Sequence, residues 1–151
     1  MEAFINGWIA CGPLIQHLSE LTEAYTKLSL TLKIRCIFYS DQNVLLYNRL
    51  GIGRLIAELP VALCDDFLNE VFRHGLPEID PEIISVTNCF FANNLNIAET
   101  ARQLHMHRNT LIYRLDLIEQ MTGLNLKNFE DAILFKIALM IIDNKKHHKG
   151  A

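Results

Sequence analysis

The stretch Asn96–Leu115 constrains the fold of this chain more than any other, because it has the pattern of two short helices joined by a tight turn. The first helix is expected at about 97–104, with Asn96 as its N-cap. The second is expected at 108–122, with Gly123 as its C-cap. Small and apolar side chains would hold the two helices at a fixed angle: Ala101, Leu104, Met106, Leu111 and Leu115.

This arrangement predicts a helix-turn-helix motif, in which the second helix enters the major groove of DNA by its N-terminal end. If Leu111, Leu115 and Ile118 form the buried stripe, steps of about 100° per residue place Asn109 and Tyr113 on the opposite face. The predicted DNA contacts are polar or cationic side chains from both helices: Arg102, His107, Arg108, Asn109, Thr110, Tyr113 and Arg114.

The charges of the motif agree with DNA binding. Residues 100–115 include three arginines and two histidines but no acid, in a chain of net charge −3. Such a local basic patch suffices, because cations are needed only where the phosphates lie. The acids Asp116 and Glu119 lie further along the second helix and would repel phosphates, so only its first two turns are expected in the groove.

Side-chain chemistry suggests a division of roles within the second helix. Arg108 suits the edge of guanine and Asn109 that of adenine, because both can make paired hydrogen bonds there. Thr110, Tyr113 and Arg114 suit phosphate oxygens, which position the protein. As an alternative, Arg108 or Arg114 could pair with an acid of the same helix, Asp116 or Glu119.

The length and composition of the chain limit the classes of protein to which it can belong. A chain of 151 residues, half of them hydrophobic, is long enough for one domain, or for a small domain with part of another. No apolar run approaches the ~20 residues that span a bilayer, and no signal peptide is present, so we expect a cytoplasmic protein without a membrane segment. The four cysteines show no metal-site spacing and are expected to be buried, reduced thiols.

The N-terminal third has the pattern of a small α+β segment. We expect a strand at 3–11, a helix at 14–33 with a leucine-rich stripe, and short strands at 35–39 and 44–47 around a turn at 40–43. The edges of this piece have no obvious cover in the chain. It is therefore interpreted as a fragment of a larger α+β domain.

Helices are expected through the rest of the chain. A G-x-G starts a short helix at 51–59, which we favour over a phosphate-binding loop because the third glycine is missing. The other helices are predicted at 61–73, ending at His74-Gly75 before Pro77, at about 81–95 after an Asp80 cap, and at 129–143. The last is apolar nearly all round, so it is either the centre of a core or half of a dimer contact. The lysine-rich tail is expected to be a solvated end.

The run T-A-R-Q-L-H-M-H-R-N-T-L-I-Y-R-L, followed by I-E-Q-M-T-G-L-N-L and F-E-D-A-I-L-F-K-I-A-L, closely resembles the C-terminal domain of PucR/CdaR-type bacterial regulators. The string H-R-N-T-L-x-Y-R-L, His107–Leu115, is the most distinctive part. Upstream, Tyr47–Leu59 resembles the segment that precedes this domain, and Leu18–Tyr25 resembles a helix of the central GGDEF-like domain. The resemblance is strong from about 80 to 142.

The resemblance implies a mainly α fold, with a Fis-like helix-turn-helix domain at 80–145. A partial GGDEF-like α+β segment would occupy 1–50, connecting helices 51–79 and a flexible tail 146–151. It further implies a C-terminal fragment of a transcriptional regulator, a homodimer on double-stranded DNA, and a small-molecule effector bound by a missing N-terminal region. His105 stands where many such turns carry glycine.

Other classes of function are less well supported. The sequence contains no nucleophile elbow, Walker loop, H-E-x-x-H or G-G-D-E-F signature, so we expect no enzyme, no catalytic residue and no cofactor. His105 and His107 lack a third ligand at a fitting distance, which argues against a metal site. The alternative that stays open is a degenerate helix-turn-helix acting as a protein-interaction or dimerisation module.

Overall fold

The computed structural model describes residues 7–39, 42–72, 75 and 80–149, and within them the chain is mainly helical. In chain order, the helices and strands are β1 Ile9–Cys11, α1 Leu21–Phe38, β2 Val44–Leu46, α2 Ile52–Glu58, α3 Val61–Val71, α4 Pro81–Ala92, α5 Ile97–Gln103, α6 Arg108–Thr122 and α7 Phe129–Lys149. The predicted mainly α class, with a small α+β part, is confirmed; the GGDEF-like origin of that part stays a prediction.

The chain divides into two compact units, one formed by residues 1–61 with 140–151 and the other by residues 62–139. In the first unit, strands β1 and β2 pair in parallel, with Ile9 opposite Val44. Helix α1 follows β1 and packs against both strands. Its core is small, with Ile34, Leu45 and Leu50 buried together. Because a two-stranded sheet is marginal in water by itself, this helix supplies cover that the strands need.

The strand predicted at 35–39 is wrong, because these residues continue α1 as far as Phe38. The helix also begins later than predicted, at Leu21. Arg35 explains the difference: its Nε donates to the carbonyl of Gln42 at 2.8 Å, and its guanidinium lies 4.4 Å from the centre of the Trp8 ring. Tertiary contacts of this kind override a local preference for strand. Of the predicted strand at 3–11 and turn at 40–43, residues 1–6 and 40–41 lie outside the described residues.

The leucine-rich stripe predicted within residues 14–33 is largely exposed. Leu14 is 97% exposed, Leu18 87% and Tyr25 72%. The buried residues of α1 are instead Thr31, Ile34 and Arg35. The face that packs on the sheet is therefore not the face that apolar periodicity favours.

The two glycines at the start of α2 have separate structural roles. Gly51 has a φ of +53°, in the left-handed region that favours glycine. Gly53 lies against α1, where a Cβ would come within 3.2 Å of the Phe38 ring and 3.3 Å of the Tyr39 hydroxyl oxygen. The Tyr39 hydroxyl donates to the carbonyl of Leu50 at 3.0 Å. The G-x-G thus provides a turn and a close approach, in line with the predicted helix start.

In helix α3, Leu68 and the following Phe72 are buried, as is Cys64, whereas Leu63 is 52% exposed. The predicted stop involves Arg73, His74 and Pro77, which lie outside the described residues. None of the four cysteines forms a disulfide in the described structure. The expectation of four buried thiols is nevertheless wrong, because Cys36 is exposed and only Cys64 is fully buried.

Helix α4 begins as predicted. Asp80 accepts a hydrogen bond from the backbone N–H of Glu82 at 2.8 Å, and Pro81 occupies the first turn. The helix ends at Ala92, earlier than predicted, since Asn94 and Leu95 have positive φ values of 53° and 61°. This left-handed pair turns the chain directly into α5.

Helix α7 is longer than predicted and continues to Lys149, so the start of the predicted tail at 146–151 is helical. Phe135 and Ala138 are fully buried, which supports a core position for one side of the helix. Its other side is more open, with Phe129 65% exposed. Near the end of α7, Asn144 donates to the carbonyl of Ile56 at 3.3 Å within the first unit.

Candidate nucleic-acid interface

Helix α5 is fixed at its start by the predicted cap. The side chain of Asn96 accepts from the backbone N–H of Glu99 at 3.1 Å, and its carbonyl accepts from the Thr100 hydroxyl at 2.7 Å. Thr100 and Ala101 are buried, and α5 packs against both α4 and α6. The small Ala101 side chain therefore lies where the sequence predicts close helix packing.

The turn between α5 and α6 is closed by backbone hydrogen bonds. The N–H of Met106 donates to the carbonyl of Ala101 at 3.0 Å, and that of His105 donates to Arg102 at 3.2 Å. His105 has a φ of +51°, so a histidine adopts the left-handed conformation that glycine provides more easily. This bond pattern fixes the path of the chain into α6.

Helix α6 buries the predicted stripe: Leu111 is 0% exposed, and Leu115 and Ile118 are 1% exposed. The helix ends at Thr122, and Gly123 with a φ of +77° donates its N–H to the carbonyl of Glu119 at 2.8 Å. Both boundaries predicted for this helix are confirmed. Since its stripe is buried, the helix presents its opposite face outward.

The N-cap of α6 is a histidine. Nδ1 of His107 accepts from the backbone N–H of Asn109 at 3.2 Å. This contact requires an unprotonated Nδ1, so the proton of the neutral ring is on Nε2. The sequence predicts only a DNA contact for His107, because histidine is not among the residues that usually cap helices. Its position directly before the helix was the available signal.

Most of the predicted contact side chains are exposed together at this end of α6. His107, Arg108, Asn109 and Thr110 are exposed, and Tyr113 is 63% exposed. Within the described part of the chain, Arg108 has no ion-pair or hydrogen-bond partner for its side chain. The first two turns of α6 thus combine donors, acceptors and a cation on one accessible surface.

The other two predicted arginines have partners in the protein. Arg102 pairs with Glu99 of the same helix at 2.5 Å, but its side chain is 78% exposed. The hydrogen bond from Arg102 lowers the pKa of the Glu99 carboxyl. Arg114 pairs with Glu82 of α4 at 2.7 Å, and its side chain is only 24% exposed. Arg114 thus forms an ion pair within the protein, as the alternative prediction held, but its partner is Glu82 and neither Asp116 nor Glu119.

Asp116 also has a partner that the sequence did not indicate. Nζ of Lys127, in the loop after α6, lies 2.7 Å from Oδ1 of Asp116. This hydrogen bond raises the pKa of the lysine, so the ammonium stays charged. The pair offsets one of the two acids expected to repel phosphates. No periodicity links the two positions, so only the folded loop brings them together.

Groups that could hold a metal ion and helices that could span a membrane were sought among the described residues. Among them, no group of three or more His, Cys, Asp or Glu side chains is placed to hold a metal ion. No helix within the described ranges is both long and apolar enough to cross a membrane.

Comparison with known proteins gives a family match over the same region. Residues 85–141 match the family described as the PucR C-terminal helix-turn-helix domain. The chain is 27% identical over 128 residues to the purine catabolism regulatory protein of Bacillus subtilis, covering 83% of this chain and 24% of that protein. It is 26% identical over 145 residues to a proline-responsive transcriptional activator of Bacillus subtilis, covering 91% of this chain and 35% of that protein.

A shorter match has a higher sequence identity. The carbohydrate diacid regulator of Escherichia coli is 41% identical over 56 residues, which cover 37% of this chain and 14% of that protein. The chain therefore spans between 14% and 35% of the length of these three relatives.

Proposed function

We propose that the protein is a sequence-specific DNA-binding transcriptional regulator, on the premise that residues 85–141 match the PucR C-terminal helix-turn-helix family. One observation carries the proposal. The buried stripe of α6 packs towards α4 and α5, while the opposite face of its first two turns is exposed and carries polar and cationic groups. That is the surface a recognition helix needs at its N-terminal end.

The proposed contacts divide between bases and phosphates. Arg108 and Asn109 read base edges, guanine and adenine respectively, because both side chains are exposed and can make paired hydrogen bonds. Thr110 and Tyr113 contact phosphate oxygens. His107 adds a donor, since its cap contact keeps the proton on Nε2.

Arg102 contributes from the end of α5. Its side chain is exposed enough to reach a phosphate while its guanidinium stays close to Glu99. Glu99 reduces the local positive charge, so the contribution of Arg102 to affinity should be smaller than that of Arg108. Arg114 differs from these six residues, because it is mostly buried against α4.

The relatives support a wider proposal about the whole protein. Since the chain spans a minor part of each relative's length, we propose that it is the C-terminal portion of a longer cytoplasmic, non-enzymatic regulator whose effector binds upstream. In this proposal, residues 80–145 form the DNA-binding domain, 51–79 connect it, and 1–50 belong to a GGDEF-like domain. A homodimer would read two half-sites about 34–36 Å apart.

The test is selection from a random duplex library at a fixed salt concentration of about 0.15 M. The unaltered chain should enrich one inverted repeat, and Arg108→Ala should weaken binding to it by about 1–3 kcal/mol and relax the preference at one base pair. Arg49→Ala is the matched control, because it removes the same charge from an exposed position outside the motif.

The outcomes separate the proposal from its rival. Enrichment of one sequence by the parent and by Arg49→Ala, with weaker binding and a relaxed preference at one base pair in Arg108→Ala, supports sequence-specific readout through α6. Absence of binding by the parent contradicts the proposal and favours the protein-interaction module. Equal loss in both variants would show a general charge effect in place of base readout.

A further inference from the structure

Arg114 and Glu82 join two different helices of the candidate interface. Nη2 of Arg114, in the second turn of α6, lies 2.7 Å from Oε1 of Glu82, in the first turn of α4. The backbone of Glu82 is itself held by the Asp80 cap, whose side chain accepts from its N–H at 2.8 Å. The carboxylate therefore projects from a fixed point at the start of α4.

The position of Arg114 on α6 is unlike that of the proposed contacts. With about 100° per residue, Arg114 lies only about 60° from Leu111 and about 40° from Ile118, both buried. Tyr113, one residue earlier, is 63% exposed, whereas the side chain of Arg114 is 24% exposed. Arg114 thus faces the protein scaffold and not the surface proposed to meet DNA.

The comparison with Arg102 shows what is special about this pair. Arg102 and Glu99 are three residues apart on one helix, so their ion pair fixes no angle between elements. The Arg114–Glu82 pair connects α6 to α4, which also packs against α6.

We propose that Arg114 is a positioning residue and not a DNA contact. Its ion pair with Glu82 holds α6 against the first turn of α4 and so sets the angle at which α6 meets the groove. The proposal rests on the proposed DNA-binding function and assigns a role within it. A supporting contact of this kind matters because base readout tolerates only small displacements of the side chains that carry it.

Glu82→Gln is the decisive variant, because the two roles of Arg114 predict opposite results. If Arg114 bound phosphate, removal of the competing carboxylate would free it and tighten binding. If Arg114 positions α6, Glu82→Gln should weaken binding to the selected sequence by about two- to tenfold. Binding to unrelated duplex DNA should stay within about twofold, since phosphate contacts are retained.

Four further variants complete the experiment. Arg114→Gln should weaken specific binding like Glu82→Gln, and the double variant should be no worse than either single one. The exchange Glu82→Arg with Arg114→Glu should restore part of the specific affinity, which a loss of fold would not allow. Glu99→Gln is the matched control, because it removes the same charge beside Arg102 and should not weaken binding.

Unchanged or tighter binding of Glu82→Gln to the selected sequence would contradict the positioning role of Arg114. So would a slope of log K against log salt that flattens by about 0.9 in Arg114→Gln, the signature of one lost phosphate contact. Failure of the parent chain to bind DNA is a different result, because it would overturn the proposed function itself. Thermal unfolding of each variant identifies any that lose the fold.

Discussion

Helices α6 and α1 both carry regularly spaced apolar side chains, but these side chains are buried in α6 and largely exposed in α1. In α6, Leu111 and Leu115 are almost completely buried, and the helices that cover them immediately precede it in the chain. In α1, Leu21 is 54% exposed and Tyr25 72%, while the sheet covers a different face. A regular apolar spacing therefore shows that a stripe exists, and a packing partner decides whether it becomes core.

The largest expected effect tests this comparison directly. Leu115→Ala in α6 should lower the free energy of unfolding by about 2–5 kcal/mol, because it leaves a cavity in a closely packed site. Leu21→Ala makes the same change on the exposed stripe of α1 and should alter it by less than about 0.5 kcal/mol. Urea denaturation followed by circular dichroism measures both. Similar losses in the two variants would mean that the exposed stripe of α1 is covered in solution.

The second prediction concerns the left-handed turn residues of the two regions. His105 has a φ of +51°, where the first unit uses Gly51 at +53°. His105→Gly should raise the free energy of unfolding by about 0.5–1 kcal/mol, and Gly51→Ala should lower it by a similar or larger amount. Ala98→Gly, in the exposed first turn of α5, is the control and should cost about 0.5–1 kcal/mol. A loss in His105→Gly as well would show that the histidine side chain stabilises the turn.

The smallest expected effect is a dependence of stability on pH in the first unit. Burial raises the pKa of the Asp143 carboxyl, although Lys146 and His147 partly oppose the shift. A group whose pKa is raised in the folded state stabilises the fold at low pH, and that contribution is lost as pH rises above about 4 through the folded pKa. In Asp143→Asn, the free energy of unfolding should therefore decline less steeply as pH rises.

Unfolding curves at several pH values between about 3.5 and 7 would measure this slope. Asp66→Asn removes the same charge from an exposed position of α3 and serves as the control. A decline of the same steepness in the Asp143 variant and in the parent would rule out Asp143 as its source.

Short-range sequence patterns predicted most helices of the second unit and much of the candidate interface. Capping residues at Asp80, Asn96 and Gly123 mark helix ends by short-range hydrogen bonds, so the sequence indicates them without knowledge of the fold. The buried stripe of α6 was also predictable, since its covering helices are adjacent in the chain. The identity of the bases read stays a prediction.

The features that sequence reasoning missed depend on contacts between separate segments. Glu82 and Lys127 pair with Arg114 and Asp116 only because folding brings different elements together. The end of α1 was predicted as a strand, because nothing local shows that Arg35 will meet Trp8 and Gln42. Charge pairs and cation–aromatic contacts at long sequence distance have no periodic signature.

The discontinuous make-up of the first unit has a consequence for biosynthesis. That unit combines residues 1–61 with 140–151, whereas the second unit is a single continuous segment. As the chain leaves the ribosome, the second unit can therefore complete its own contacts before the first unit has all of its residues. The bond from Asn144 to the carbonyl of Ile56 can form only after residue 144 has been synthesised. Domains fold as units during synthesis, so we expect the helix-turn-helix to mature ahead of the N-terminal segment that precedes it.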